Sequence, residues 1–386
     1  MTLYIFQFGF LQPIASIINS QLPIAVFTLI LVIIMLLNNN FKFKKYVVVS
    51  FTILSIYFLF NILLYNNNEA IMVFIEFVLK SFSAFLIGSL DVDGEKLYNL
   101  FLKVAILNFI VLLVYPILGY VDTDTMGYMR FGYAMVPSTI MFFYAAFNEK
   151  SNRLIWKGIA LISFALILIY GSRGPLAVIL IFIMLIFVFS KNISKVKKTI
   201  IVMFSCIGIY LIKSCNLVIK LLDYIYFNLG IQTYSLAKYR MMINEGIAES
   251  SSGRDQIYRS IWELIKQKPF IGHGIGILQS TSGYTAHNIF LQILVESGIL
   301  GLLIWVFIWI YCFNKYNKIS KSDKDGLYKV VTLIVSIAMG RLLISSDMWL
   351  RPEYWFAISM LINFKWESRC LQKYNKLTSN ELTLNE

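Results

Sequence analysis

Residues 288–313 read NIFLQILVESGILGLLIWVFIWIYCF, and Glu296 is the only charged side chain in this run. An α-helix needs about 17–25 apolar residues to cross a bilayer core of roughly 30 Å. Similar runs recur along the chain, which is 58% hydrophobic and only 14% charged. Alternating barrel strands are not evident, and only helices or closed barrels satisfy the backbone in lipid. The sequence therefore predicts an all-α polytopic integral membrane protein.

We predict 11–12 transmembrane helices from these runs. Eleven of them lie near Leu22–Leu37, Tyr46–Tyr65, Ala70–Gly88, Tyr98–Leu118, Tyr133–Phe147, Leu154–Tyr170, Pro175–Phe189, Thr199–Ile212, Asn288–Phe313, Tyr328–Ile344 and Tyr354–Phe364. A short apolar helix near Leu3–Ile18, interrupted by Pro13, is the candidate twelfth span.

The basic residues predict the topology. The net charge of +13 comes from lysines and arginines that cluster in short loops between apolar runs. Such loops lie on the cytoplasmic side by the positive-inside rule, which accounts for the charge without a nucleic-acid partner. These positions are Lys42, Lys44, Lys45, Lys150, Arg153, Lys157, Lys191, Lys195, Lys197, Lys198, Lys315, Lys318, Lys321, Lys324, Lys329 and the tail residues Lys365, Arg369, Lys373 and Lys376.

This topology divides the chain into four parts. Residues 1–212 form an N-terminal transmembrane bundle, 213–287 a large extracytoplasmic loop, 288–364 the C-terminal transmembrane helices and 365–386 a cytoplasmic basic tail. Loops of this length are uncommon and are usually functional or disordered. Apolar residues at helical spacing predict short amphipathic helices in the loop, at the membrane surface.

Arginines on the predicted outer face are the first candidates for function. The positive-inside rule disfavours them there, and a guanidinium fork pairs bidentately with phosphate. Charges at membrane depth are functional hypotheses by default, so the diphosphate of an outer-leaflet lipid is the expected ligand. Individual arginines that bind lipid headgroups or snorkel are the alternative. The outer-face positions are Arg130, Arg173, Arg240, Arg254, Arg259 and Arg351, with Arg341 near the outer end of a span.

The polar segment before residue 288 supplies further candidates. His287 is one of two histidines, and histidine suits a general base near neutral pH. The alternative is an interfacial histidine that caps the following helix. Glu296 is expected to pair with Arg341 or to orient a polar cavity. The glycine-rich turn Pro269–Gly276 either brings backbone amides to a phosphate or sugar, or is a plain turn.

Metal binding and disulfides are not expected. Two histidines lack an HExxH motif, and four cysteines lack paired spacing. The pairs Asp91/Asp93 and Asp122/Asp124 could hold a divalent metal beside a sugar diphosphate. The first pair falls on the cytoplasmic side, where turn residues are the simpler interpretation. Glu76 and Lys80 are predicted to neutralise one another as an i,i+4 pair.

These residues resemble the motifs of the O-antigen polymerase and ligase superfamily of bacterial envelope glycosyltransferases, which includes Wzy-like polysaccharide polymerases. The resemblance covers about residues 171–313, and the N-terminal half fits only by hydropathy. The Arg-x10-Gly repeats of some polymerases are not evident. The matching motifs are Ser172-Arg173-Gly174, Gly253-Arg254 with Trp262, Pro269-x-x-Gly272-x-Gly274, and His287-Asn288 with Glu296-x-Gly298-x-x-Gly301.

The resemblance implies a GT-C-like fold that transfers a glycan from an undecaprenyl-diphosphate donor at the outer face of the bacterial cytoplasmic membrane. Arg173 and Arg254 would engage the diphosphate, and His287 would be the catalytic histidine. We expect inverting displacement with no metal and no cofactor. The candidate substrate-binding residues are Arg130, Arg259, Arg341, Arg351, Asn288, Glu296, Gly272 and Gly274.

Three other functions remain open at this stage. Our preferred function is a polymerase for O-antigen or capsule, whose acceptor is a second lipid-linked repeat unit. A ligase would transfer the glycan to the lipid A core. A lipid-linked oligosaccharide flippase would be expected to show pseudo-repeats, which are not visible. A non-catalytic scaffold would have no reason to gather arginines on one face. The expected partners are the undecaprenyl-diphosphate-linked oligosaccharide and membrane lipids, with a chain-length regulator and a flippase as further candidates.

Overall fold

The computed structural model describes residues 1–18, 20, 22–117, 127–148, 152–189, 217–244, 254–322, 326–344 and 347–364. Throughout these ranges the regular elements are helices, without a strand. Six of the helices are long and apolar enough to cross a membrane, by length and composition. The prediction of an all-α polytopic membrane protein is confirmed.

We number the helices in chain order. They are α1 (Thr2–Ile17), α2 (Leu22–Asn38), α3 (Lys45–Tyr65), α4 (Asn68–Gly88, with a π-helical turn at Phe77–Phe82), α5 (Gly94–Ile117), α6 (Gly127–Asn148), α7 (Arg153–Tyr170), α8 (Arg173–Phe189), α9 (Leu217–Asp223, continued by a π-helical turn at Tyr224–Asn228), α10 (Tyr234–Asn244), α11 (Arg254–Gln267), α12 (Ile277–Ser282), α13 (Ile289–Ser322), α14 (Leu327–Ile344) and α15 (Pro352–Asn363).

Helices occupy ten of the eleven predicted spans, and the segment Thr199–Ile212 lies outside the described residues. The last predicted span differs from expectation. The 12 residues of α15 extend only about 18 Å, which is too short to cross the bilayer core. Residues 352–361 are all buried. Helix α15 is therefore buried inside the bundle and does not cross the bilayer core.

The run that predicted a single span, Asn288–Phe313, contains a break at Gly298. This residue has φ 64° and ψ −164°, outside the helical region. The rings of Phe290 and Trp309 nevertheless lie 5.4 Å apart, whereas a continuous helix would place residues so spaced about 28 Å apart. Helix α13 therefore folds back on itself. We call residues 289–297 the N-arm and residues 299–322 the C-arm.

The turn Pro269–Gly276 stabilises this break. Its amides at His273 and Gly274 donate to the carbonyls of Val295 and Glu296, at 2.8 and 2.9 Å, and the Ile299 amide donates to Pro269 O at 2.9 Å. These are the backbone groups that the break removes from the helix. A β-carbon on Gly298 would overlap the Phe270 carbonyl group, and one on Gly272 would overlap that of Glu296. The two glycine motifs are therefore the two halves of one backbone contact.

The bundle has two ends that differ in their contacts. At the basic end, Lys44 pairs with Asp91, and Lys315 Nζ donates to Phe364 O. At the loop end, Tyr65 donates its hydroxyl to the Gly272 carbonyl, and Asn67 donates to Ile275 O. These contacts separate two ends of the bundle, and the membrane side of each end stays a prediction.

Candidate active site

An apolar groove runs along the bundle between α8, the C-arm, α14 and α15. Its volume is about 430 Å³. It extends from Tyr316 toward Trp309 and Tyr354, and the Trp309 indole donates to the Tyr354 hydroxyl at 2.9 Å. The groove is large enough for part of an extended hydrocarbon chain. Its other lining residues are Leu185, Val306, Ile310, Cys312, Phe313, Val335, Ala338, Met339, Ala357, Ile358 and Leu361.

A cluster of charged side chains adjoins the groove at its loop end. Arg341 follows the groove residues Ala338 and Met339 on α14, and its guanidinium pairs with Glu353 at the start of α15. The same guanidinium lies over the Tyr133 ring of α6, with its central carbon 4.3 Å from the ring centroid. We call Arg341, Arg351 and Glu353 the arginine cluster.

Arg351 contributes a second guanidinium to this cluster. Burial, together with the charge of the neighbouring Arg341, lowers the pKa of Arg351 to about 10. This pKa is still well above 7, so the guanidinium is charged at neutral pH. Among the described residues, its Nε and the Glu353 Oε2 atom have no hydrogen-bond partner. A buried guanidinium N–H without a partner is costly, and an anionic ligand would satisfy it.

A buried polar network lies beside the arginine cluster. Gln292 on the N-arm donates to Glu296 at 3.2 Å and accepts the Met348 amide at 2.9 Å. The Trp349 indole donates to Glu296 at 2.8 Å. Asp347 accepts from Gln279 Nε2 at 2.9 Å, and burial raises the pKa of its carboxyl. The network fixes the N-arm against the connection 347–351.

Glu296 and Arg341 do not pair. The sequence suggested that pair because each is a lone charge in a predicted span. In the structure Arg341 bonds to Glu353, while Glu296 takes its bonds from Gln292 and Trp349. The other alternative for Glu296, a residue that orients a polar cavity, fits this arrangement.

His287 lies immediately before the N-arm, with φ 51°. Its Nδ1 is 3.5 Å from the Thr285 hydroxyl. Asn288, rather than His287, caps the N-arm, because its Oδ1 accepts the amides of Phe290 and Leu291. A chain of contacts links this helix start to the arginine cluster, since Phe290 packs on Trp309 and Trp309 bonds Tyr354, the neighbour of Glu353.

Arg254 begins α11, which packs beside the N-arm through Ile261, Ile265 and Val295. Both helices end at the turn 269–274, which follows α11 and bonds the last carbonyls of the N-arm. The two helices therefore run in the same direction. Arg254 and His287 consequently lie at the same end of the pair.

Arg173 begins α8, within the tight turn predicted at Gly171–Gly174. Its Nη1 lies 3.5 Å from the Met242 sulfur of α10. The next residue, Gly174, packs so closely on Tyr133 that a β-carbon would overlap the phenol oxygen. Since Tyr133 also stacks on Arg341, the turn adjoins the arginine cluster.

The remaining candidates lie apart from these contacts. Arg130 is exposed near the start of α6, and Arg259 is exposed on α11. The amides of Gly272 and Gly274 donate to Lys268 O and Glu296 O, so this conformation offers neither to a phosphate. Of the two interpretations of the glycine-rich turn, the structure fits the plain turn. Arg240 pairs with Asp223 and stacks on Tyr226 and Phe227.

The acidic pairs have structural roles where they can be seen. Asp91 pairs with Lys44, and Asp93 caps α5 by accepting the amides of Glu95 and Lys96. Asp122 and Asp124 lie outside the described residues, as do Cys206, Cys215 and Cys370. In the part of the chain that the structure describes, no group of three or more His, Cys, Asp or Glu residues could hold a metal. The Glu76–Lys80 pair forms as predicted.

Sequence reasoning missed the acidic and aromatic partners of the arginines. Glu353 and Asp347 flank Arg351 in a connection between two apolar runs, and that acidic context was the available signal. Tyr133 and Gln292 carried no signal, because their roles depend on contacts between distant segments.

Comparison with known proteins agrees with these motifs. A family model described as O-antigen ligase matches residues 158–306, which include Arg173, Arg254, His287 and Glu296. No curated protein matches the chain. This match, together with the polytopic helical fold, supports membership of the chain in the O-antigen polymerase and ligase superfamily.

Proposed function

We propose that this chain is a polysaccharide polymerase of the outer face of the cytoplasmic membrane. It transfers a glycan from undecaprenyl diphosphate to a sugar hydroxyl of a second lipid-linked repeat unit. The observation that carries the proposal is the apolar groove that ends at the arginine cluster. A lipid diphosphate needs both parts, a channel for the hydrocarbon chain and fixed cations for the headgroup.

The charges at the end of the groove suit a diphosphate leaving group. Arg351 carries a charged guanidinium whose Nε lacks a partner within the described ranges. Fixed cations in a site of low dielectric stabilise negative charge that develops on a leaving group. Arg341 is held in place by Glu353 and Tyr133. We assign Arg341 and Arg351 to the diphosphate nearest the groove, with Arg173 and Arg254 at its periphery.

The chemical step is a single displacement at the anomeric carbon. The acceptor hydroxyl oxygen forms the new C–O bond while the bond between the anomeric carbon and the diphosphate oxygen breaks. The leaving polyprenyl diphosphate takes the electron pair, and His287 accepts the hydroxyl proton. Two lipid-anchored substrates meet at one depth, which reduces the entropy cost of bringing them together. The product has inverted configuration, and no metal takes part.

The ligase remains the second candidate, because the family match covers both activities. Its donor would use the same groove and arginines, and only the acceptor differs, with lipid A core in place of a lipid-linked repeat. A flippase would not require a histidine and several arginines around one end of the groove.

In the test, variants are expressed in a strain that lacks this protein, and the surface glycan of each culture is separated by length as a ladder. Complementation with His287→Ala or Arg254→Ala is expected to abolish the ladder at normal protein level. The matched control is His273→Gln. The His273 Nε2 atom lies 2.7 Å from the Leu264 carbonyl, and a glutamine amide can donate to the same oxygen.

Three outcomes discriminate between the hypotheses. Normal ladders from both His287→Ala and Arg254→Ala would refute the assigned site. A null strain that makes polymer but leaves it on the carrier lipid would establish the ligase. For the face of the membrane, Cys215 should react with an impermeant thiol reagent in intact spheroplasts and Cys370 should not. The opposite pattern would place the site on the inner face.

A further inference from the structure

A second cavity lies outside the groove and the arginine cluster. It is a cleft of about 590 Å³ between α11 and α12, within the range of small-molecule sites. We call it the α11–α12 cleft. Its lining includes Thr285, whose hydroxyl lies 3.5 Å from His287 Nδ1. A ligand in the cleft would therefore reach the candidate base.

The polar wall of the cleft is rich in hydrogen-bond acceptors. The hydroxyls of Ser260, Thr281 and Ser282 already donate to backbone carbonyls of their own helices. Each hydroxyl oxygen therefore offers lone pairs to a ligand rather than a proton. The Glu263 carboxylate and the Gln256 amide add further acceptor oxygens. Such a wall suits a ligand with many O–H groups.

The charge of the lining disfavours an anion. None of the lining residues in the described ranges is Lys or Arg, and one of them is Glu263. A phosphate would therefore meet the Glu263 carboxylate, and Lys266, which pairs with this carboxylate at 2.9 Å, is not one of the lining residues. The diphosphate of the donor belongs at the arginine cluster, and the cleft is left for the neutral, polyhydroxylated part of a substrate.

The rest of the cleft suits a sugar ring. Ile257, Leu264 and Leu278 supply apolar contacts, and Tyr284 stands at the edge with 57% of its surface exposed. An aromatic ring of this kind offers a large rigid surface on which the C–H face of a pyranose can pack, with a hydroxyl for a hydrogen bond.

We infer that the α11–α12 cleft binds the acceptor glycan and presents its terminal hydroxyl to His287. This inference rests on the proposed function and identifies its acceptor subsite. It also explains why His287 is connected both to the arginine cluster and to the cleft. The arginine cluster is linked to the N-arm through Phe290, and the cleft is linked to His287 through Thr285.

Saccharide binding by the full chain in detergent provides the test. The probe is the free repeat-unit oligosaccharide, released by mild acid from the polysaccharide of the producing strain and followed by saturation-transfer NMR. Tyr284→Ala is expected to weaken binding about tenfold, the loss of one aromatic contact. Tyr284→Phe retains the ring and should bind nearly as the parent. Tyr224→Ala is the matched control, because Tyr224 is 55% exposed and lies on another helix.

The outcomes separate this inference from the proposed function. Unchanged binding by Tyr284→Ala and by Gln256→Ala would overturn the acceptor subsite, even if His287→Ala abolishes polymerisation. Binding that depends on Tyr284 in a protein that transfers no glycan would uphold the saccharide site and refute the polymerase. His287→Ala should still bind the oligosaccharide, since His287 is not one of the residues that line the cleft.

Discussion

Ion pairs at the two ends of the bundle have different surroundings. At the basic end, Asp91 in the Lys44–Asp91 pair is 80% exposed. At the loop end, the side chains of Arg341 and Glu353 are 15% and 10% exposed. Exposed pairs contribute between about 0 and 1 kcal/mol, whereas removal of one member of a buried pair costs about 3–5 kcal/mol. Charge at the basic end therefore reports topology, whereas a substitution in the buried pair at the loop end is expected to have a large effect.

The largest effect is expected from Arg341→Met. The substitution removes the ion-pair partner of the buried Glu353 carboxylate and leaves only Arg351 near it, so stability in detergent should fall by about 3–5 kcal/mol. Glycan transfer should be lost as well. Thermal unfolding of the purified protein and the glycan ladder provide the two measurements.

The double substitution Arg341→Met with Glu353→Met separates structure from function. Replacement of both partners by apolar side chains should restore most of the lost stability. Transfer should stay absent if Arg341 binds the diphosphate. Recovery of activity along with stability would show that the pair has only a structural role.

Gly298→Ala is expected to cost about 3 kcal/mol, next in size. The φ and ψ of Gly298 lie where essentially only glycine is found, which costs other residues about 1–3 kcal/mol, and its β-carbon would also overlap Phe270. Gly158→Ala is the matched control, because Gly158 is within α7 and a β-carbon there meets nothing within 4 Å. That control should be neutral or stabilise the helix by up to about 1 kcal/mol. Equal melting temperatures for the two variants would contradict the break in α13.

The helices could be predicted from the sequence, whereas the break at Gly298 could not. Hydropathy is a local property, so it located the helices and the basic loops. The break in α13 depends on the turn Pro269–Gly276, which supplies hydrogen bonds from a distant segment. No window of hydropathy contains that contact. The motif Glu296-x-Gly298 was recognised by resemblance, but its role as a backbone contact emerged only from the structure.

The candidate site could also be predicted only in part from the sequence. The residue types of His287, Arg173 and Arg254 pointed to phosphate and proton chemistry, and the family match covers all three. Of the two roles that the sequence left open for Glu296, the pair with Arg341 does not form, because Glu353 becomes the neighbour of Arg341 when α15 packs against α14. Helix α15 also packs closely against α4, where a β-carbon on Gly88 would crowd the Phe356 carbonyl oxygen. Hydropathy contains no such information.

Glu296→Ala should cost about 2 kcal/mol, since it leaves the buried donors of Trp349 and Gln292 without their acceptor. Glu296→Gln keeps one acceptor oxygen for the indole and should cost less. Thermal unfolding of both variants measures the difference. Equal losses for the two variants would indicate that the carboxylate charge, which both remove, stabilises the N-arm rather than its hydrogen bonds.

The smallest effects are expected at the basic end, within one Asp-x-Asp pair. Asp93→Ala removes the N-cap of α5 and should cost about 1 kcal/mol. Asp91→Ala removes an exposed ion pair and should cost less than about 0.5 kcal/mol. Neither change should alter glycan transfer, and a chelator should leave transfer by the parent protein intact. Loss of transfer in both variants, together with sensitivity to chelation, would instead assign this pair to a metal and would place chemistry at the end of the bundle where exposed charge otherwise reports only topology.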